Sequence, residues 1–297
     1  MCHCEPRFLR RGNPVFQIAS PLQARNDIPT RNSLPLRRRV FVCSTGPRSA
    51  HTWFDYLRLN SMIARAQPFD QAIIHPMLKY IIFDLDETLY PRDAGLMQEI
   101  GHRIHRYLIE RVGLSADEAK ATRLRYYQQY GTALRGLMVE YPESSPEDYL
   151  EFVHDIVLTN YIGPNPELKA MLQAIPLTRV ILTNATGEHA RKVLDALGIA
   201  NCFSDIVDIR AIDYISKPNP HAYRRLLDLL QAQGEECILV EDSARNLLPA
   251  KALGMKTILV DSADCAEVDC CVKDILGVKD AVEKLMQVAC CQKPDPQ

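Results

Sequence analysis

Apolar residues arrive along this chain in two rhythms. Tyr80, Ile81, Ile82 and Phe83 form a short apolar run that breaks off abruptly at Asp84, Asp86 and Glu87. A run of this kind predicts a strand buried on both faces, as in a parallel sheet flanked by helices. Comparable runs recur at 179–183, 206–209, 237–240 and 257–260, with a short one at 268–272. Between and after them, apolar positions at helical spacing predict helices over 188–197, 220–230, 244–253 and 278–288. Gly198 and Gly254 stop two of these helices just before the next element. Strands alternating with helices predict an α/β fold with a doubly wound, mainly parallel sheet.

One stretch departs from the alternation. Leu96, Ile100, Ile104 and Leu108 repeat at helical spacing up to Gly113. Ser115 and Glu118 have the spacing of a capping box, which predicts a second helix running to about Tyr130. Ser145-Pro146 and Asn165-Pro166 mark two further helix starts, each with proline at the first helical position. Residues 92–175 therefore read as an all-helical insertion, leaving 77–91 and 176–297 to build the sheet domain.

Charge divides the chain differently. The whole carries a formal −2, but residues 1–76 hold eleven Arg, no Lys and four acids, a net of +7. Residues 77–297 hold 24 basic and 33 acidic residues, a net of −9. An acidic body lacks the electrostatic footprint of a protein that binds nucleic acid polymers. Residues 1–76 show no helical or strand period, and little stable structure is expected there. They read either as an Arg-rich, transit-like leader or as sequence upstream of a true start at Met77. Cys2, Cys4, Trp53 and Tyr56 favour the second reading. No window approaches the ~18 apolar residues of a membrane span. Ten cysteines occur without a C-x-x-C pair, and the adjacent pairs Cys270-Cys271 and Cys290-Cys291 are poorly placed to share zinc. The expectation is a cytoplasmic protein with reduced, partly buried thiols.

The chemistry gathers at strand ends, where α/β sheets bind ligands. Asp84 and Asp86 lie two residues apart after the first strand. Alone they are as consistent with a solvated strand end as with a nucleophile and a proton shuttle. Thr183-Asn184 ends the next strand and suits an anionic oxygen, though the same pair is often a plain helix cap. Lys217 precedes Pro218, Asn219 and Pro220, whose prolines limit where its ammonium can point. Glu241-Asp242-Ser243 closes a third strand. Two carboxylate clusters at neighbouring strand ends would repel unless a cation lay between them, and hard oxygen ligands suit Mg²⁺.

Taken together, Asp84-Leu85-Asp86-Glu87-Thr88, Thr183-Asn184, Lys217-Pro218 and Glu241-Asp242 resemble, in order, the four motifs of the haloacid dehalogenase superfamily. The insertion falls where that family carries a helical cap on its Rossmann-like core. The likeness covers about residues 78–290. Asp84 to Tyr90, the segment 130–138 and Glu241-Asp242-Ser243 with Asn246 are most similar to the pyrimidine 5′-nucleotidase branch, which often has Asp where this chain has Glu241.

The resemblance implies a Mg²⁺-dependent phosphomonoester hydrolase working through an aspartyl-phosphate, with small phosphorylated metabolites as substrates and nucleoside 5′-monophosphates first. It implies Asp84 as nucleophile, Asp86 as acid and then base, and Thr183, Asn184 and Lys217 as phosphate contacts. The metal would be held by Asp84, the Asp86 backbone carbonyl, Asp242 and Glu241. In the cap, Tyr130 could stack on a ring and Arg135 could pair with an anion; equally, both read as helix packing and a solvated face. The alternatives are a phosphosugar phosphatase or phosphomutase of the same superfamily, and a catalytically retired binding protein.

Overall fold

The computed structural model describes residues 77–263 and 265–291, with side chains to residue 287. Residues 1–76, for which little stable structure is expected, lie outside the described residues.

Six strands form one sheet: β1 (Tyr80–Phe83), β2 (Thr178–Leu182), β3 (Asp205–Val207), β4 (Cys237–Glu241), β5 (Lys256–Val260) and β6 (Cys270–Val272). Their spatial order is β3-β2-β1-β4-β5-β6, and every pairing is parallel. The chain first builds outward from β1 on one side, then crosses to β4 on the other. β1 therefore sits at the point where strand order reverses. Phe83 pairs with both Ile181 and Val240, which brings the ends of β1, β2 and β4 level.

Side chains alternate across this sheet, as the two-residue period of a strand requires. Ile81, Phe83, Ile181, Ile238, Val240 and Ile258 face one core, and Ile82, Val180, Leu182, Leu239 and Leu259 the other. Both cores are covered by helices, so the inner strands β1 and β4 are apolar on both faces.

Between β1 and β2 come α1 (Leu96–Glu110), α2 (Ala116–Tyr130), α3 (Ala133–Glu140), α4 (Pro146–His154) and α5 (Pro166–Ala174). Local chemistry starts each of the later ones. Ser115 and Glu118 form a reciprocal capping box on α2, and Ser145 and Asn165 accept from Asp148 and Leu168 backbone N–H groups at the starts of α4 and α5. Tyr107, Tyr126, Leu134, Leu137, Tyr149 and Leu150 pack into the core that also holds Val180 and Leu239. Helix α5 behaves differently. It buries Leu168 and Leu172 in the opposite core with Phe83 and Val240, so it packs with the sheet although the sequence groups it with the insertion.

The remaining helices are α6 (Gly187–Leu197), α7 (Pro220–Leu230), α8 (Ala244–Ala252) and α9 (Val278–Cys291). β6 is shorter than its apolar run, because Asp269 turns its carboxylate to the Thr257 backbone N–H (2.9 Å) and hydroxyl (2.7 Å). The expectation of reduced thiols throughout is corrected at one position. The Cα atoms of Cys265 and Cys271 lie 5.5 Å apart, and the two are joined as a disulfide. Cys202, Cys237 and Cys270 are free. No helix among the described residues is long and apolar enough to cross a membrane.

Candidate active site

Where β1 ends, Asp84 donates its backbone N–H to Val240 on β4 at 2.9 Å, fixing its Cα between the two strands. Its carboxylate is buried and held from two sides. Oδ1 accepts from Lys217 Nζ at 2.6 Å, and Oδ2 accepts from Thr88 Oγ1 at 3.0 Å. Burial pushes this carboxyl above its ordinary range, with Lys217 opposing the shift.

Lys217 is 1% exposed, an unusual position for a lysine. Its three ammonium protons are all used, on Asp84, on Glu241 Oε1 at 2.7 Å and on the Leu182 carbonyl at 2.9 Å. Burial works against its charge, but Asp84 and Glu241 outweigh it and hold the ammonium protonated.

Asn184 sets the lysine's backbone, accepting from Lys217 N–H at 2.9 Å and donating to its carbonyl at 3.2 Å. On the other side Gly131, at φ +89°, ends α2 directly against the same loop. A Cβ there would stand 3.0 Å from the Lys217 carbonyl and 3.0 Å from Pro218. Both the positive φ and the close approach call for glycine.

Glu241 is fully buried. Besides Lys217, its Oε1 accepts from Asn246 Nδ2 at 2.8 Å, and Oε2 accepts from the Ser243 N–H at 3.2 Å. Burial, with Asp84 and Asp242 adding to it and Lys217 opposing, pushes its carboxyl up to about 8. Asp242 is half-buried at the cavity wall, and Arg92 reaches its Oδ2 at 2.9 Å while also pairing with Glu87 at 3.2 Å.

Carboxylate oxygens of Asp84, Glu241 and Asp242 all lie within 4.8 Å of one another. These are hard donors, and three acids outnumber the one buried ammonium, so the cluster is compatible with a divalent cation of the Mg²⁺ class. Asp86 adds no carboxylate oxygen to this group. Its side chain instead accepts from Tyr90 OH at 2.6 Å and stands 3.6 Å from His189 Nε2. Burial would raise its pKa, but His189, Tyr90 and His154 together lower it.

Thr183 is buried, and its hydroxyl accepts from the Ala185 N–H at 3.0 Å. Asn184, Asp84, Asp86, Lys217 and Asp242 line a cavity of about 690 Å³. The other walls are mixed: Met97, Ile100, Ile104, Leu134, Leu150 and Val153 are apolar, Glu87, Arg92, His154 and Arg245 are charged or polar, and Tyr127 and Tyr149 also border it. Arg245 lies over the Tyr127 ring, 5.2 Å from its centroid. The two cap residues singled out in the sequence do not line this cavity. Tyr130 packs edge-on against the buried Tyr126 and turns its hydroxyl toward Glu140, and Arg135 sits half-buried on α3. Tyr127, Thr132 and Leu134 border the cavity in their place. Arg92, His154, His189 and Arg245 carry no signal in the sequence, and Tyr90 is marked there only as the end of the run that begins at Asp84, with no role of its own.

A family model described as haloacid dehalogenase-like hydrolase matches residues 78–254. The Saccharomyces cerevisiae protein called Phosphate metabolism protein 8 is 25% identical over 198 residues, 62% of each chain. This chain thus spans about three fifths of that relative's length. A phosphoglycolate phosphatase of Aquifex aeolicus is 26% identical over 189 residues, 61% of this chain and 84% of its own. Among solved structures, the HAD phosphatase from Thermococcus onnurineus shares the fold at a TM-score of 0.50 and 17% identity, covering 70% of this chain and 98% of its own.

Proposed function

This chain belongs to the haloacid dehalogenase-like hydrolases, and from that premise we propose that it hydrolyses phosphomonoesters of nucleosides or similar ring-bearing alcohols. The observation that carries the reading is Lys217 Nζ at 2.6 Å from Asp84 Oδ1, both lining a cavity to which Met97, Ile100, Ile104, Leu134, Leu150 and Val153 add an apolar part. A fixed ammonium beside a carboxylate nucleophile offsets the repulsion between that nucleophile and an anionic phosphoryl group. A cavity of about 690 Å³ exceeds what a two- or three-carbon phosphoacid needs, and its apolar side suits a flat ring.

In this reading Asp86 first takes up the proton that a phosphomonoester monoanion carries; an Asp84 oxygen then bonds to phosphorus as the bond to the leaving oxygen breaks, and Asp86 passes that proton to the leaving oxygen. Asp86 then takes a proton from water, whose oxygen bonds to phosphorus as the Asp84–phosphorus bond opens. Lys217 holds Asp84 throughout, and the Asn184 loop fixes where Lys217 stands. Asp84 and Asp242, with Glu241 beside them and the Asp86 carbonyl, are the groups that would hold Mg²⁺. When bound, the ion would neutralise phosphoryl charge. Removing the carboxyl proton acceptor at Asp86 would stall both halves of the cycle.

The test is turnover of p-nitrophenyl phosphate with Mg²⁺, then of a panel of nucleoside 5′-monophosphates, sugar phosphates and phosphoglycolate. Asp84→Asn should lose all measurable turnover. Activity above a few per cent in that variant removes Asp84 as nucleophile. A preference for phosphoglycolate, on which one relative is named to act, would overturn the nucleoside assignment and leave phosphatase chemistry intact.

A further inference from the structure

The two oxygens of Asp86 have unlike surroundings. Oδ1 receives the Tyr90 hydroxyl at 2.6 Å, and His189 Nε2 approaches the same atom at 3.6 Å. Oδ2 makes no hydrogen bond among the described residues, and the side chain borders the cavity. Tyr90 is 3% exposed, and burial beside Asp86 pushes its pKa far upward, so its one proton stays available for that bond.

His189 is the stranger of the two partners. Its side chain is fully buried near the start of α6, where its backbone N–H is capped by Thr186 Oγ1 at 3.2 Å. Both ring nitrogens lack a hydrogen-bond partner, and the ring stacks on His154 with centroids 4.3 Å apart. A buried polar ring left unsatisfied costs about 1–3 kcal/mol. Asp86 is the acceptor within reach, and catalytic hydrogen bonds are often long until substrate is bound.

We propose that Tyr90 and His189, the latter backed by His154, are positioning residues that grip Asp86 by Oδ1 and so reserve Oδ2 for the leaving-group oxygen and the attacking water. The inference rests on the phosphomonoester reading above. An aspartate's last torsion is broad and roughly two-fold, so an ungripped carboxylate swings and swaps its oxygens. A misplacement of about 1 Å at a reacting group can lower a rate about 100-fold. Tyr90 follows from the turn after β1 and His189 from α6, so the grip comes from two independent elements.

A residue that merely packs against Asp86 should not care which group leaves; one that aims an acid should. The probes are uridine 5′-monophosphate, whose alkoxide needs a proton as it departs, and p-nitrophenyl phosphate, whose phenolate needs little. The reading is kcat/KM, which reports the step that expels the leaving group. In Tyr90→Phe, which keeps the ring and its packing, kcat/KM should fall about 30-fold for the nucleotide and about 3-fold for the phenyl ester. KM should stay nearly constant. His189→Gln, which keeps a donor, should retain more nucleotide activity than His189→Leu. Equal losses on both probes in Tyr90→Phe would overturn the inference, even if the buried His189 variants fold poorly. A wild type inert toward both probes would overturn the phosphatase reading and this inference with it.

Discussion

Replacing Lys217 with methionine probes the site's central arrangement more sharply than any other change. The substitution keeps an unbranched chain in a 1%-exposed slot and removes three hydrogen bonds of 2.6–2.9 Å. It also strands Asp84 and Glu241, both buried, beside each other without a counter-ion. At the observed 2.6 Å and an effective dielectric of about 20, each attraction is worth roughly 6 kcal/mol before desolvation. Desolvation returns several kcal/mol of that, so breaking the arrangement by removing one partner should cost about 3–5 kcal/mol.

For a folded body of this size that lowers the melting temperature by roughly 10 °C. Calorimetry at pH 8 without metal measures it. Lys217→Met combined with Glu241→Met should melt above Lys217→Met alone, since the double change leaves one stranded carboxylate where the single change leaves two. A single variant that melts within about 2 °C of wild type would refute the premise that this ammonium is desolvated and fully paired.

Three other outcomes follow from described features. Mg²⁺ at about 100 times its dissociation constant should stabilise the wild type by about 2.7 kcal/mol, and Asp242→Asn should abolish that thermal shift; an undiminished shift would place the ion elsewhere. His154 is held down to about 3 by burial and then by His189. Between that value and about 6.5 the unfolded chain binds a proton that the folded chain refuses, so stability falls as pH drops through this window. With allowance for its partial exposure, wild type should lose about 1–2 kcal/mol more than His154→Phe between pH 7.5 and 5, read by urea unfolding; parallel losses would argue against a neutral ring at this half-buried position. A Cβ on Gly234 would lie 1.8 Å from the Leu253 carbonyl, so Gly234→Ala should lower stability by at least about 2 kcal/mol; an unchanged urea midpoint would contradict the packing at that turn.

The centre of the sheet was readable in the sequence because both faces of its inner strands are covered, which leaves runs such as Ile238, Leu239 and Val240 unbroken by polar residues. Helix starts were readable where a side chain caps them, as at Ser115 and Asn165. Helix α3 was not, because eight residues with Gly136 among them give too short a period. That glycine is explained only by the fold, since a Cβ there would meet the Tyr126 ring at 2.2 Å. The strand-end acids announced themselves by type and position, but the partnership of Asp84 with Lys217, 133 residues apart, is a product of strand order. Likewise Tyr127 and Tyr130 look interchangeable as a helical pair, and only the packing of Tyr126 decides which of them reaches the cavity. His154 and His189 belong to separate helices and carry no local pattern that would pair them.

At Gly131 the inserted helices rest on the lysine loop through bare backbone. That elbow separates what can drift from what cannot. An exposed residue of α2 that borders the chamber, such as Tyr127, is free to change for new leaving groups, while residue 131 must remain without a side chain. Grafts that exchange this segment between relatives should therefore cut on either side of the glycine and carry it over intact.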